Sequence, residues 1–461
     1  MKAKIPRLMF SAFNSGGGKT TITCAILQAL LTKGLTPAAF KCGPDYIDPM
    51  FHSEVTGVKA RNLDVFLLPE GVCRYLLVRN SRTADLAILE GAMGYYDGLG
   101  ADSTTASSYH LARVTGTPVV LIVDGKGSSL SLAALIQGFI RFRPESNIRG
   151  IILNRLSPGM FPLYRKMIEK ETGIPVLGYF PYHKELSLAS RHLGLITAAE
   201  VEDLREKTVR LGQQAAGTID LAALLEIAAG AEDIRYEDQP VLRKGEVTVA
   251  VARDKAFCFY YQDSLELLEE MGAKIRYFSP LQDTALPECD GLILGGGYPE
   301  VFARELAENT RMKASLKAAL KRRTPCLAEC GGFMYLLEEI TDQEGKHHEM
   351  TGAIRGKAFM TEKLNRFGYI TLTSGNHNLL SEKGGQINAH EFHYSDSTAN
   401  GSAFQARKPT RNMEWDCIQA DANLFAGYPH LHLWGNIRFA VSFVEKCIAY
   451  RSRKRKENTK K

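Results

Sequence analysis

The sequence has no run of eighteen or more apolar residues, and it does not begin with a charged stretch followed by an apolar segment. The first absence excludes a bilayer-spanning helix, and the second excludes a secretory signal peptide. The nine cysteines include no Cys-x-x-Cys pair, so neither a zinc ribbon nor a disulfide framework is indicated. We therefore expect a soluble cytoplasmic protein in a reducing compartment, without a membrane partner.

Lys and Arg outnumber Asp and Glu by six, but this excess is confined to the end of the chain. Residues 451–461 contain seven Lys or Arg and one Glu, which accounts for the whole +6 and leaves residues 1–450 neutral. A neutral body has no electrostatic footprint for nucleic acid, so we predict no nucleic-acid partner. We interpret residues 451–461 as a basic disordered tail, with nonspecific binding to anionic surfaces as the alternative.

Three glycines stand directly before a lysine and two threonines in Ser15-Gly-Gly-Gly-Lys-Thr-Thr21. The apolar run 7–10 before them predicts a strand, and residues 21–31 after them predict a helix. In this context backbone N–H groups can wrap around a pyrophosphate, Lys19 can reach the terminal phosphates, and the Thr20 hydroxyl can bind Mg²⁺. The sequence therefore predicts a nucleotide site formed by Ser15, Gly16, Gly17, Gly18, Lys19, Thr20 and Thr21.

This loop departs from the common P-loop pattern at two positions. Phe13 stands where the first glycine is expected, and Asn14 stands where deviant P-loops carry a second lysine. The alternative interpretation is a tight glycine turn before a core helix.

Short, almost entirely apolar segments alternate with helical stretches through the first half of the chain, at 7–10, 37–40, 85–89, 117–123, 148–153 and 174–179. Strands of this composition are covered on both faces. Their alternation with helices predicts an α/β fold with a doubly wound, mostly parallel sheet. Ligands bind to such sheets where the strands end.

Polar side chains follow several of these strands at their carboxyl ends. Asp45 and Asp48 come after the second strand, where they can hold Mg²⁺, orient a substrate or simply form a turn. Glu90 ends the third strand in the position of a second Mg²⁺ carboxylate, and Asp97 lies in the glycine-rich loop that follows. Asn154 ends the fifth strand and can read an adenine edge, with an ordinary turn as the alternative.

Two neighbouring residues further along, Arg191 and His192, are unusual on a predicted loop. They could receive an anionic substrate. The alternative is a surface pair at the end of a helix.

The composition changes at residues 230–246, which are polar and broken by Gly and Pro, and a new apolar strand follows at 247–252. Such a segment is typical of a linker between domains. At roughly 150 residues per domain, a chain of 461 residues has room for two or three domains. We predict a P-loop domain over 1–229, a linker over 230–246, a second α/β domain over 247–450 and the tail over 451–461.

Cys330 lies on a Glu-Cys-Gly-Gly turn between a predicted strand and a predicted helix. A thiol on such an elbow is held out of the core, beside backbone N–H groups that can form an oxyanion hole. His430 and His432 offer a base, but two residues on one strand point the same way, so spacing does not choose between them. A buried structural cysteine is the alternative. The elbow, the two histidines and the glycine loop Gly295-Gly-Gly-Tyr-Pro-Glu300 together favour a nucleophile.

The cluster His390-Glu-Phe-His-Tyr394 is only superficially similar to a metal-binding motif. On a strand, His390, Phe392 and Tyr394 share one face, which leaves zinc without a third ligand at a suitable spacing. We predict no metal at this cluster.

Taken together, these stretches resemble the cobyrinic acid a,c-diamide synthase family over nearly the whole chain apart from the basic tail. The motifs that carry the resemblance are Ser15-Gly-Gly-Gly-Lys-Thr-Thr21, Lys41-Cys-Gly-Pro-Asp-Tyr-Ile-Asp-Pro49, Glu90-Gly-Ala-Met-Gly94 with Tyr96-Asp-Gly98, Arg191-His-Leu-Gly-Leu195, Gly295-Gly-Gly-Tyr-Pro-Glu300, Glu329-Cys-Gly-Gly332, His390-Glu-Phe-His-Tyr-Ser395 and Tyr428-Pro-His-Leu-His432. The resemblance implies a dethiobiotin-synthetase-like ATP domain followed by a class I-type glutamine amidotransferase domain. It also implies ATP-dependent amidation of two carboxylates of a corrin-type tetrapyrrole, with glutamine as nitrogen donor.

The same resemblance implies roles for individual residues. Lys19 and Thr20 would hold ATP and Mg²⁺, Asp45 and Glu90 would complete the metal site, and Asp48 and Asp97 would face the substrate. Cys330 would attack the glutamine amide with His430, rather than His432, as its base, and Gly297 and Gly331 would supply oxyanion-hole N–H groups. The implied partners are ATP, glutamine and the tetrapyrrole, and a homodimer is compatible with the family.

Two other functions stay open at this point. The same machinery could amidate a related tetrapyrrole such as nickel sirohydrochlorin. A ParA-like ATP-driven partitioning protein shares the P-loop sheet, but that hypothesis predicts a lysine near Asn14 and no glutaminase half.

Overall fold

The structure of the protein is a computed structural model that describes residues 1–182 and 204–459. Contacts between Cα atoms divide the chain into two compact units, Met1–Gln239 and Pro240–Lys461. The division falls inside the polar segment 230–246. Arg191 and His192 lie outside the described residues.

The first unit alternates strands and helices. Its strands are β1 (Lys2–Ala3), β2 (Arg7–Ala12), β3 (Pro37–Cys42), β4 (Ala60–Leu63), β5 (Leu86–Glu90), β6 (Val119–Asp124), β7 (Ile148–Asn154), β8 (Val176–Phe180) and β9 (Ile234–Arg235). Its helices are α1 (Lys19–Thr32), α2 (Ile47–Thr56), α3 (Glu70–Ser81), α4 (Ser108–Thr115), α5 (Leu130–Arg141), α6 (Phe161–Thr172), α7 (Leu204–Thr218) and α8 (Leu221–Ala229). A short 3₁₀ helix, Pro158–Met160, precedes α6.

Seven of the described strands in this unit form one sheet in the order β4-β3-β5-β2-β6-β7-β8. Every neighbouring pair is parallel. All six residues of β2 and of β3 are buried, because helices cover both faces of the sheet. The doubly wound parallel sheet predicted from the apolar segments is confirmed, and the carboxyl ends of β2, β3 and β5 meet at one edge.

The P-loop leads directly into helix α1, and the apolar side of this helix packs against the sheet. Ile22, Ile26 and Leu30 recur every fourth residue, are fully buried and belong to the same core cluster as Leu8 and Phe10 of β2. Burying each such side chain contributes roughly 1.5–3 kcal/mol. This packing sets the position of the helix N-terminus against the sheet edge.

The described part of the second unit contains two larger sheets and one short antiparallel pair of strands, formed by residues 257–259 and 296–297. Its strands are β10 (Val247–Ala252), β11 (Phe257–Phe259), β12 (Ala273–Phe278), β13 (Gly291–Leu294), β14 (Gly296–Gly297), β15 (Cys326–Glu329), β16 (Glu339–Thr341), β17 (His347–Glu349), β18 (Lys357–Ser374), β19 (Gln386–Ser397), β20 (Phe404–Arg407), β21 (Glu414–Cys417), β22 (Gln419–Asp421), β23 (Leu424–Gly427) and β24 (His430–Leu431). Its helices are α9 (Gln262–Glu270), α10 (Ala303–Glu308), α11 (Thr310–Lys321), α12 (Gly331–Leu336) and α13 (Ile437–Thr459), with a 3₁₀ turn at Leu433–Gly435.

The first of these sheets has the order β12-β10-β13-β15-β23-β22 and is parallel except for β22, which runs antiparallel to β23. The second larger sheet has the path β17-β16-β18-β19-β24, with β20 paired to β18 and β21 paired to β20. In the β19–β24 pair, His390 lies opposite His430. This pairing brings two motifs that are forty residues apart in the chain next to one another.

The end of the chain corrects one expectation. Residues 451–461 were predicted to be a disordered tail, whereas α13 continues helically to Thr459. Arg, Lys and Glu are good helix formers, and the exposed turns are also anchored. Lys454 Nζ pairs with Glu288 Oε1 at 2.7 Å, and Arg453 Nη2 donates to the Arg322 carbonyl at 3.0 Å. Within the described ranges no helix has the length and apolar character needed to cross a membrane.

Candidate functional site

The P-loop connects β2 to α1 and is buttressed from β7. Asn154 Nδ2 donates to the Gly17 carbonyl at 2.9 Å, and Asn154 Oδ1 accepts from Arg155 N at 3.0 Å. Gly18 has φ of 90°, and a Cβ on it would lie 2.3 Å from Asn154 Nδ2, so only glycine fits here. The amide predicted to read adenine is thus engaged with the chain itself and supports the loop.

The Lys19 side chain is held by two backbone carbonyls. Its Nζ donates to the Met93 carbonyl at 2.6 Å and to the Asn14 carbonyl at 2.9 Å. Burial, followed by the charge of Lys41, lowers the pKa of Lys19 to about 8. A partly desolvated ammonium with only neutral carbonyl partners is well suited to contact phosphate oxygens.

A buried charge cluster lies at the carboxyl edge of the sheet, beside the first turn of α1. Thr20 Oγ1 donates to Glu90 Oε1 at 2.6 Å and lies 3.3 Å from Asp48 Oδ2. Lys41 Nζ pairs with both Asp48 and Glu90, and the Lys41–Glu90 distance is 2.7 Å. His52 Nε2 lies 2.7 Å from Glu90 Oε2. The arrangement surrounds a fully buried carboxylate with two cationic groups and a hydroxyl.

The electrostatics of this cluster follow from burial and pairing. Burial alone would raise the pKa of Glu90, but the charge of Lys41 and the contacts with His52 bring it well below its ordinary value. The pKa of Asp48 is raised to about 7, chiefly by burial. The pKa of His52 is raised well above its ordinary value despite burial, because of its contacts with Cys24 and Glu90. Glu90 is therefore ionised and the site is preorganised.

Two members of the cluster, Lys41 and His52, were given no role by the sequence analysis. Lys41 lies opposite Glu90 in the β3–β5 register, and His52 follows Asp48 by one turn of α2. Parallel neighbours and residues four apart on a helix share one side. The spacing Asp48-x-x-x-His52 was a usable signal, but its partner became clear only in three dimensions.

Asp45, predicted to hold Mg²⁺, makes local hydrogen bonds at the start of α2. Its Oδ1 accepts from Ile47 N at 2.8 Å and from Asp48 N at 3.2 Å, so it caps the start of α2. It is Asp48 that reaches Thr20. Asp97 has a comparable local function, since its Oδ2 accepts from Gly94 N at 2.9 Å and closes the loop after β5.

The oxygen atoms at this edge fit a magnesium ion that binds together with nucleotide phosphates. Across 1–182 and 204–459, no group of three or more His, Cys, Asp or Glu side chains is arranged to hold a metal by itself. Mg²⁺ commonly takes one or two protein oxygen ligands and completes its shell with phosphates and water. The Thr20 hydroxyl and the carboxylates of Asp48 and Glu90 offer such ligands.

In the second unit, Cys330 lies at the elbow between β15 and α12. Its φ of 46° and ψ of −106° are a strained combination for a residue with a side chain. The residue is 6% exposed and belongs to the buried core cluster of the unit, so the expectation that the elbow holds the thiol out of the core is wrong. The thiol hydrogen-bonds to the His430 ring. Burial opposes a charge on His430, but the charge and hydrogen bond of Cys330 and the contact with Glu329 raise its pKa to about 10. The imidazolium form of His430 is therefore favoured beside the Cys330 sulfur.

His432, the other candidate base, belongs to a different environment. Its ring stacks on Tyr261 with centroids 4.7 Å apart, and its Nδ1 lies 3.5 Å from Ser264 Oγ. Burial lowers the pKa of His432 to about 3. Of the two histidines, the structure brings His430 to Cys330.

Glu329, the residue before Cys330, lies next to the His430 ring and was not assigned a role from the sequence. Its Oε1 accepts from Leu431 N at 3.2 Å, and its Oε2 lies 3.7 Å from His430 Nδ1. A carboxylate in this position holds the ring and stabilises its charged form. The acid at the end of a strand, next to a nucleophile, was the signal available.

The two glycines predicted to form an oxyanion hole lie side by side. Gly297 has φ of 154°, and a Cβ on it would approach the Ala256 carbonyl to 2.2 Å. A Cβ on Gly331 would lie 3.2 Å from Gly297 N. Neither glycine has room for a side chain, and their backbones approach closely, as a pair of oxyanion-hole N–H groups requires.

Comparison with known proteins agrees with this pair of sites. Residues 8–196 match the CobQ/CobB/MinD/ParA nucleotide binding domain, and residues 248–437 match the CobB/CobQ-like glutamine amidotransferase domain. The cobyrinate a,c-diamide synthase of Listeria innocua serovar 6a is 40% identical over 93% of this chain and 97% of its own length. The chain belongs to the cobyrinate a,c-diamide synthase family. The synthase of Clostridium tetani is 42% identical over 95% of this chain and 99% of its own.

Membership of the cobyrinate a,c-diamide synthase family confirms three predictions made from the sequence. The first is the family, which the sequence motifs had indicated. The fold class is confirmed, since a P-loop domain is followed by an α/β amidotransferase domain. The enzyme class, a glutamine-hydrolysing ligase, is confirmed as well.

For this member of the cobyrinate a,c-diamide synthase family, we expect the two histidines to differ sharply on mutation. His430→Ala should lower the rate of glutamate release from glutamine by about 10²–10⁴-fold, because it removes the group that exchanges a proton with the thiol. His432→Ala should retain most of the rate. Glutamate release by the two purified variants checks the assignment, and a greater loss in His432→Ala would reverse it.

Proposed function

We propose that the chain catalyses the ATP-dependent amidation of the a and c side-chain carboxylates of cobyrinic acid, with glutamine or ammonia as nitrogen donor. The observation that carries the proposal is the Cys330–His430 pair on a strained elbow, in a chain that also has a P-loop with an adjoining carboxylate cluster. The names of relatives that align over almost the whole chain support the choice of substrate.

The glutaminase half-reaction takes place in the second unit. The Cys330 sulfur attacks the side-chain amide carbon of glutamine, and backbone N–H groups at Gly297 and Gly331 stabilise the oxyanion. The proton carried by His430 passes to the leaving nitrogen, which departs as ammonia and leaves a thioester. Water, deprotonated by the same ring, then releases glutamate.

The synthetase half-reaction takes place in the first unit. A carboxylate resists attack by ammonia, so we propose that its oxygen first takes the γ-phosphoryl group of ATP, giving ADP and an acyl phosphate. Lys19 neutralises charge on the transferring oxygens, while Thr20, Asp48 and Glu90 are the residues that would hold Mg²⁺. Such an ion, when bound, neutralises phosphate charge and orients the leaving group. Ammonia then displaces phosphate and forms the amide.

The remaining substrate contacts are part of this proposal. Asp97 accepts a hydrogen bond from Gly94 N in the loop after β5, and we propose that it faces the substrate. Asp48 lies beside Thr20 at the edge of the sheet that the acceptor carboxylate must approach. Arg191 and His192 would receive peripheral carboxylates of the tetrapyrrole.

The substrate is tested by incubating the purified chain with ATP, Mg²⁺ and glutamine, and either cobyrinic acid or nickel sirohydrochlorin. Mass spectrometry should show the addition of two amides to cobyrinic acid, with one glutamate released for each amide. Diamidation of nickel sirohydrochlorin alone would identify the alternative substrate. ATP hydrolysis without any amide product would support the partitioning alternative.

Binding of ATP should weaken as the pH rises above about 8. Burial lowers the pKa of Lys19 to about 8, so the free protein loses the ammonium above that pH, whereas bound phosphate favours the charged form. The apparent Kd for ATP should then rise by up to about tenfold per pH unit. Titration of ATP between pH 7 and 9.5 measures this. Lys19→Arg keeps its charge throughout, and a wild-type Kd as flat as that of this variant would contradict the expectation.

A further inference from the structure

Glu391, on β19 of the second unit, is a buried carboxyl without a partner. Its exposed fraction is 0%, and neither Oε1 nor Oε2 accepts a hydrogen bond in the described structure. Leaving such a group unsatisfied is unfavourable, because its hydrogen bonds to water are lost without replacement. A buried carboxyl without a donor therefore points to a ligand that brings one.

His393, two residues along the same strand, adds a third unsatisfied acceptor. Its Nδ1 lies 2.7 Å from the Ser395 carbonyl, so Nδ1 carries the hydrogen and Nε2 has the lone pair. That Nε2 is buried, has no hydrogen-bond partner and lies 4.0 Å from Glu391 Oε2, beyond direct bonding. Burial lowers the pKa of His393 to about 4, which keeps the ring neutral.

The charged groups around Glu391 do not satisfy it. Arg366, Lys408 and His430 act on it through their charges, yet burial outweighs them and raises the pKa of Glu391 to about 8. No hydrogen bond joins any of them to its oxygens within the described residues. Without a ligand the carboxyl therefore keeps its proton at neutral pH, whereas a cationic ligand favours its ionised form, in which both oxygens and His393 Nε2 are acceptors.

The pair lies close behind the nucleophile. The His393 ring stacks on Tyr428 with centroids 3.9 Å apart, and Tyr428 packs edge-on against Phe333 of α12, the helix that starts after Cys330. In addition, Ser395 Oγ donates to Met334 Sδ on the same helix at 3.6 Å. Tyr428 therefore links His393 to the helix that begins directly after the nucleophile.

We propose that Glu391 and His393 bind the nitrogen that glutamine brings, as a small donor-only group of the ammonia or ammonium type. Such a nitrogen has three or four N–H bonds and matches acceptors that face no donor. Ammonia set free at Cys330 and the α-ammonium group of glutamine share this chemistry. The proposal rests on the glutaminase part of the proposed function.

Thermal unfolding of the full chain tests the site with ammonium itself as the probe. Ammonium chloride, compared with sodium chloride at equal concentration, should raise the Tm of the wild type and of Glu414→Gln, an exposed control on β21. The shift should vanish in Glu391→Gln, which keeps the shape and removes the charge. An equal shift in wild type and Glu391→Gln, or none in the wild type, would overturn the proposal.

Kinetics of the same variants distinguish the two sources. If the site holds released ammonia, Glu391→Gln should form about tenfold less amide for each glutamate released, with an unchanged KM for glutamine. If it holds the α-ammonium group, the KM for glutamine should rise about tenfold, and the amount of amide formed for each glutamate released should stay unchanged. If Glu391→Gln changes neither the amide formed for each glutamate released nor the KM for glutamine, the proposed site is contradicted. Failure of the wild type to amidate cobyrinic acid would instead count against the proposed function, since the Tm test does not depend on amidation.

Discussion

Replacing Cys330 by alanine should abolish glutamine-dependent amidation and leave amidation with free ammonia intact. The thiol forms the covalent bond with glutamine, and no other described side chain on the elbow can replace it, since Gly331 and Gly332 follow it. Loss of a nucleophile typically costs at least about 10³-fold in rate. Glutamate release and amide formation, measured with glutamine and then with ammonium chloride, give both halves of the result.

Cys326→Ala is a matched control for this experiment. Cys326 lies four residues earlier on β15, is fully buried and belongs to the apolar core of the unit. Its loss should cost stability through a small cavity, and glutamine hydrolysis should continue. Retention of glutamate release in Cys330→Ala, or loss of ammonia-dependent amidation in a folded Cys330→Ala protein, would contradict the separation of the two half-reactions.

Replacing Lys19 by methionine should have the converse effect. Amidation should fall by about 10³-fold with glutamine and with ammonia alike, because the ammonium that stabilises the transferring phosphoryl group is gone. Glutamate release should persist, since the Cys330–His430 pair is unchanged. The methionine keeps most of the apolar stem, which limits the effect on packing.

Lys33→Met controls for the loss of a positive charge on the same helix. Lys33 is exposed at the C-terminal end of α1, far along the helix from the P-loop, and should have near wild-type activity. The ADP formed with cobyrinic acid is the most direct readout. Normal ADP formation by Lys19→Met would remove the lysine from the phosphoryl transfer step.

The parts of the protein that were predictable from sequence are those fixed by local pattern. Apolar runs bounded by loops gave the strands of the parallel sheet, since a strand buried on both faces needs no partner information to be recognised. The P-loop and the elbow at Cys330 were recognisable because glycine is required at close backbone approaches, as at Gly18 and Gly297.

The parts that were missed depend on contacts between distant segments. Lys41 and His52 meet Glu90 only when β3, β5 and α2 are assembled, and Asp45 and Asp48 look equivalent until one of them caps the helix. The basic end was assigned to disorder from its charge alone. Its helical form depends on continuation from the apolar start of α13 and on the anchor at Glu288.

The central claim is that the first unit energises the carboxylate which the nitrogen of glutamine then attacks. Transfer of ¹⁸O tests it most directly: cobyrinic acid labelled in its a and c carboxylates is converted with ATP and glutamine, and the phosphate is analysed by mass spectrometry. We predict that one ¹⁸O appears in phosphate for each amide formed, because the phosphate that ammonia displaces from the acyl phosphate carries one of the carboxylate oxygens. Amide formation with unlabelled phosphate, or with AMP and pyrophosphate as products, would contradict the account.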